Sequence, residues 1–187
     1  MALALFAGAP GFTAPRVEPD NAELEALFVA DQAVRTSIKP EQIADRAFVE
    51  KMLLDDQSRR VAARKLLDAG ALHTAGDFYA AAYIFQHGRS ADDYLLAHSL
   101  AVAAVAKGKA EARWIAAATL DRYLQKIGQQ QIYGTQFITS RATGPTMEPY
   151  NPQLVPDALR SALDVPVRKE QDARLETMTT VAPGRAD

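Results

Sequence analysis

Gly76-Asp77-Phe78-Tyr79-Ala80-Ala81-Ala82-Tyr83-Ile84-Phe85-Gln86-His87-Gly88 decides how this chain folds. Its apolar side chains at Phe78, Tyr79, Ala82, Tyr83 and Phe85 recur at helical rather than strand spacing. Three consecutive alanines let another helix backbone approach closely. Gly88-Arg89-Ser90 breaks the helix. Ser90 followed by Asp93 resembles a capping box, with Asp in place of the usual Glu or Gln.

The same pattern continues downstream. Residues 91–107 place Tyr94, Ala97, Ala101 and Val105 on one face and stop at Gly108. Residues 109–127 carry Ala117, Leu120, Leu124 and Ile127, with Trp114 nearby, and stop at Gly128. Ala103-Ala104 and Ala116-Ala117-Ala118 again favour close helix packing. Three helices joined by so few residues must fold back on one another. Gly76 and Gly108 lie 32 residues apart, and each precedes an alanine- and aromatic-containing helix. That step is a distant likeness to tetratricopeptide and Sel1-type repeats, whose period is about 34 or more.

Upstream, Asp20 or Asn21 can cap a helix with Leu24, Leu27 and Phe28 on one face, ending near Ser37. Pro40 suits the first turn of a second, long helix carrying Ile43, Ala47, Phe48, Met52, Val61, Leu66 and Leu67, with Gly70 as its stop. Its middle, Asp55-Asp56-Gln57-Ser58-Arg59-Arg60, is polar over more than one and a half turns. Either some of these residues point inward or the helix breaks there. A solvated face is the plain reading, and a contribution of Asp56 or Arg60 to a cavity is the functional one.

After Tyr133 the pattern changes. Gly144, Pro145, Pro149, Pro152 and Pro156 argue against regular structure over 137–156. Asp157 to Leu163 fits a short helix. The expected organisation is an N-terminal stretch (1–19), a helical domain (20–165) and a polar tail (166–187) with a frayed end. The expected fold is all-α: an antiparallel, repeat-like array of five or six helices with an irregular, proline-rich C-terminal segment across it.

Composition narrows function by exclusion. The 187 residues suit one domain, and 48% hydrophobic content supports a buried core. The formal net charge is -2, with no basic stripe or run, so neither nucleic acid nor an acidic membrane surface is an expected partner. There are no cysteines, which excludes thiolate metal sites and a cysteine nucleophile. Three histidines, His73, His87 and His98, are too few for a histidine-rich metal centre, and no metal or cofactor is expected. Phosphate-binding loops, nucleophile elbows and His-Glu-x-x-His strings are absent. Residues 1–14 have a short apolar run and small residues before Pro15, like the second half of a secretory signal without its charged start. They are read as a signal remnant, implying a periplasmic or secreted protein, or as an apolar terminus on a cytoplasmic one. They are too short to span a bilayer.

The chemistry-bearing residues cluster in three strings. Gln86-His87 ends one helix, Asp121-Arg122 lies within another, and Gln129-Gln130-Gln131-Ile132-Tyr133-Gly134-Thr135-Gln136 follows it. His87, in the last turn of its helix, is an acid, base or ligand, or simply a cap on a terminal carbonyl. Asp121 either orients His87 or, with Arg122, holds the following loop, whose backbone groups need partners. Arg122 can also clamp a carboxylate or phosphate. Tyr133, Thr135 and Gln136 offer uncharged donors and acceptors, and Gly134 permits a tight turn. Such a set suits recognition of a peptide or small polar ligand better than bond breaking. His98, on an apolar face near Tyr94, reads as a satisfied core histidine, and His73 as a loop residue.

These strings, with "LVPDALRSALDVP" downstream, resemble a bacterial family known only as a domain of unknown function. The likeness spans roughly residues 20–175, and its most specific part is Tyr133-Gly134-Thr135-Gln136. It implies a helical domain and a common position for Gln86, His87, Asp121, Arg122, Gln131, Tyr133, Thr135 and Gln136, without implying an activity. The leading expectation is a binding domain whose groove these residues line. The alternatives are a hydrolase or transferase with His87 as base and Asp121 as its orienting group, and a buried polar network that only fixes the fold.

Overall fold

A computed structural model describes residues 18–140 and 142–181, and the expected signal remnant lies almost wholly outside them. Eight helices and one small hairpin form among the described residues. The array is built by α1 (Ala22–Ser37), α2 (Pro40–Ala44), α3 (Arg46–Asp68), α4 (Ala75–Phe85), α5 (Ala91–Ala106) and α6 (Ala112–Lys126). Helices α4, α5 and α6 pack in succession, with α1 and α3 against α4. The expected all-α antiparallel array is therefore the observed one.

Alanine makes this possible. Ala81, Ala82, Ala97, Ala101, Ala104 and Ala112 are fully or almost fully buried, so the helices meet backbone to backbone. Leu24, Ile84, Phe85, Leu100 and Ile115 fill the space between them. Phe28, Tyr79 and Tyr83 form an aromatic cluster where α1 crosses α4, with ring centroids 4.9–5.8 Å apart. Capping boxes fix two helix starts, Thr74 with Asp77 and Ser90 with Asp93.

Two features depart from the sequence reading, and a third decides between its alternatives. The long second helix is two helices: Asp45 leaves helical geometry and its carboxylate caps α3 by accepting from the Ala47 and Phe48 N–H groups. The polar run 55–60 does not break α3, because Asp56 and Arg59 are buried against one another and against α1. Finally, the C-terminal third is more ordered than its prolines suggest. Strands β1 (Ile138–Ser140) and β2 (Gly144–Thr146) pair antiparallel, and short α7 (Asp157–Ala162) follows. The polar tail expected from residue 166 is helix α8 (Arg168–Val181), anchored by the buried Gln171.

Candidate functional site

Helix α6 leaves the array at Ile127, and among residues 130–136 only Gln131 has backbone partners, so the others need partners from elsewhere. Asp121, one and a half turns back and fully buried, supplies them. Its Oδ1 accepts from the N–H groups of Ile132 (2.8 Å) and Tyr133 (3.0 Å). Its Oδ2 accepts from the Thr135 N–H (3.0 Å) and hydroxyl (2.7 Å). One carboxylate thus satisfies four donors of a loop that lacks regular structure.

Gln131 completes the loop from inside. Its side chain is fully buried and bonds the backbone of Gln136 in both directions, and its Nε2 also donates to the Met147 carbonyl. The main chain of Gln131 pairs with Pro149 and Asn151, which stitches the proline-rich segment to the loop. Three later residues then converge on the Tyr133 carbonyl: Gln171 Nε2 donates at 2.7 Å and Arg160 Nε at 3.4 Å, and the Tyr150 hydroxyl stands 3.5 Å away while donating to Gln171 Oε1 at 2.9 Å. Arg160 also bonds the Tyr150 oxygen (2.9 Å) and the Pro152 carbonyl (3.1 Å), and pairs with Asp157. Gly134 lies at the centre with φ +79°. A Cβ there would stand 2.5 Å from Gln171 Oε1 and 2.6 Å from the Tyr150 hydroxyl, so both conformation and space require glycine. Burial, with the Asp121 charge, raises the Tyr133 hydroxyl above its ordinary pKa.

Arg122 points about 100° away from Asp121 around the helix. It faces an open depression of about 480 Å³. Tyr94 of α5, Gln125 and Lys126 of α6, and Gln136, Phe137 and Ile138 beyond the loop form the other walls. Arg122 Nε and Gln125 Nε2 are buried with no hydrogen-bond partner. Burial pulls the guanidinium below its ordinary pKa, an effect the neighbouring Tyr94 hydroxyl opposes. Gln136 is held rigidly: its Nε2 donates to Thr135 Oγ1 (2.9 Å) and the Ala118 carbonyl (3.3 Å). That leaves its Oε1 as the acceptor it can offer.

The Gln86-His87 string goes elsewhere. His87 Nε2 lies 3.3 Å from Asp31 Oδ2, without hydrogen-bond alignment. Asp31 also faces Arg59 (3.5 Å) and Arg35 (3.6 Å), and Asp56 pairs with both arginines. Burial opposes ionisation of Asp56, but hydrogen bonds from Arg35 and Arg59 outweigh it and hold its carboxyl below the usual range. Arg60 donates to the His87 carbonyl at 2.8 Å. This is an ion network binding α1 and α3 to the end of α4. Gln86 is buried as the C-cap of α4.

The pairing of His87 with Asp121 envisaged for catalysis is therefore not built. All four hydrogen bonds described for Asp121 go to the loop, and the carboxylate beside His87 is Asp31. Asp121, Gln131, Tyr133, Thr135 and Gln136 do come together, and Gln136 joins Arg122 in one depression. His98 is satisfied, its Nδ1 donating to the Ala116 carbonyl at 2.9 Å. The sequence reading missed the position of Gln125 on the hollow and the clamp made by Tyr150, Arg160 and Gln171. Gln125 carried a signal, since it follows Arg122 by three residues and so shares its face.

Comparison with protein-family models, curated proteins and solved structures found no match. The likeness to the domain-of-unknown-function family therefore rests on the quoted strings alone.

Proposed function

We propose that the protein is a binding module that recognises a peptide or small polar ligand in the depression between α5, α6 and residues 136–138. The observation that carries this reading is that Arg122 and Gln125, each with a buried side-chain nitrogen that lacks a partner, both line one open hollow. Buried polar groups ordinarily have partners; the Arg35, Arg59 and His87 nitrogens that also lack an aligned acceptor stand beside Asp31, whereas no carboxylate is paired with Arg122 among the described residues. The surrounding loop is rigid through Asp121 and Gln131, so the donors are held in place before a ligand arrives, which lowers the ordering cost of binding. The shape suits recognition rather than bond breaking, because no base with an orienting carboxylate faces the hollow among the described residues.

Titration of the ¹⁵N-labelled protein with a mixture of short random-sequence peptides tests this. Shift changes clustered at Tyr94, Arg122, Gln125 and Gln136 are expected. Changes centred on His87 and Asp31, or none at all, would contradict it.

A further inference from the structure

Most arginines confined by this fold are matched to carboxylates, and the partly buried Arg60 donates to the His87 carbonyl. Arg35 and Arg59 meet Asp56, Arg160 meets Asp157, and Arg113 meets Asp164. Arg122 breaks the pattern. Among the described residues it makes no ion pair, and its Nε has no acceptor although it is buried. Half-burying a guanidinium without an anionic partner carries a cost, which an incoming anion would offset.

From this geometry we infer that the hollow takes a ligand through a monoanionic carboxylate, which docks on Arg122 and Gln125, while an N–H close to that carboxylate donates to Gln136. The inference rests on the binding-module reading and specifies its ligand chemistry. Two features of the site suit a carboxylate on a carbon stem. A guanidinium fork matches the planar carboxylate with two parallel hydrogen bonds. Phe137, with the Arg174 guanidinium 4.7 Å from its ring centroid, and Ile138 also line the hollow and offer apolar surface to the ligand's carbon stem. The acceptor left on Gln136 then suits an amide N–H rather than a second oxyanion. A peptide C-terminus and an N-acylated amino acid both present a carboxylate with such an N–H.

The experiment is a titration of the ¹⁵N-labelled full chain with four probes: tetra-alanine, its C-terminal amide, N-acetylalanine and inorganic phosphate. The side-chain Hε resonance of Arg122 and the amide groups of Gln125 and Gln136 are followed. Tetra-alanine should shift all three, and amidation should weaken its binding about tenfold or more. Arg122→Gln should abolish that difference between acid and amide. If N-acetylalanine binds as well as tetra-alanine, the small carboxylate is sufficient. If it binds much more weakly, the ligand is a peptide C-terminus. Equal binding of acid and amide would overturn the carboxylate inference and leave the binding module standing, as would stronger binding of phosphate. No shift at any lining residue with any probe would overturn both.

Discussion

Gln131 and Gln136 bond one another twice: Gln131 Oε1 accepts from the Gln136 N–H at 2.9 Å, and Gln131 Nε2 donates to the Gln136 carbonyl at 2.9 Å. A side-chain amide here takes the place of a neighbouring strand. The backbone of residues 132–136 can leave the helical array because this amide and the Asp121 carboxylate accept from the N–H groups of Ile132, Tyr133, Thr135 and Gln136.

Gln131→Ala removes the partner of three backbone groups at once, two on Gln136 and one on Met147. The expected loss is about 2–5 kcal/mol in equilibrium urea unfolding. Gln131→Glu should be comparably damaging at neutral pH despite its similar shape, because it turns an oxygen toward two carbonyls. A Glu variant as stable as the parent would show that the amide is not oriented as described.

Gly134 and Gly108 separate strain from crowding. Both have positive φ, +79° and +97°, but only Gly134 is crowded at the Cβ position. Gly108→Ala should cost about 1 kcal/mol from conformation alone. Gly134→Ala should cost about 2–4 kcal/mol, since Gln171 and Tyr150 must also shift. Equal losses in thermal unfolding would mean that the clamp on Tyr133 is not closed.

Acid should weaken the protein in a defined direction. Asp56, Asp77 and Asp93 all titrate below their ordinary value. At Asp77 burial works the other way, but N–H groups of Thr74, Asn21 and His73 prevail. A folded pKa below the unfolded value of about 3.9 gives stability that is complete above that pH and is lost as pH falls through the folded value. The urea midpoint should therefore be flat near neutrality and decline below about pH 4, with a shallower decline in Asp77→Asn. A midpoint that rises on acidification would contradict the assigned directions.

His87→Ala should lower stability by about 1 kcal/mol or less, since the ring is an unaligned neighbour of Asp31 rather than its sole partner. Asp56→Ala should cost about 3–5 kcal/mol by leaving Arg35 and Arg59 without their closest carboxylate. Calorimetric unfolding distinguishes the two. His87→Ala should leave the response to tetra-alanine unchanged.

The helical array was legible in the sequence because its signals are local: alanine runs, aromatic spacing and stops at Gly88, Gly108 and Gly128. The buried ion network was not, since Asp31 and Arg35 look like any solvated helix residues until α3 brings Asp56 and Arg59 against them. The site was half legible. Gln131, Thr135 and Gln136 stood out as an odd amide-rich exit from a helix, and the loop-holding role of Asp121 was one of two readings. The clamp from Tyr150, Arg160 and Gln171 was hidden because its members come from a proline-broken segment and a polar helix, and only tertiary pairing unites them. Order in α8 follows from the same contacts: Gln171 fixes a helix whose composition alone suggests a tail.

Adjacent positions on α6 have opposite tasks in this account: Asp121 is committed to the fold, and Arg122 is held for a ligand. Thermal unfolding of Asp121→Ala beside Arg122→Gln tests this most directly. Asp121→Ala should cost about 2–5 kcal/mol, because four donors lose their acceptor. Arg122→Gln should unfold at the parent temperature or above it, because an unpaired buried charge is removed. If Arg122→Gln is instead as destabilised as Asp121→Ala, the arginine is part of the structural network and the hollow beside it is not a binding site.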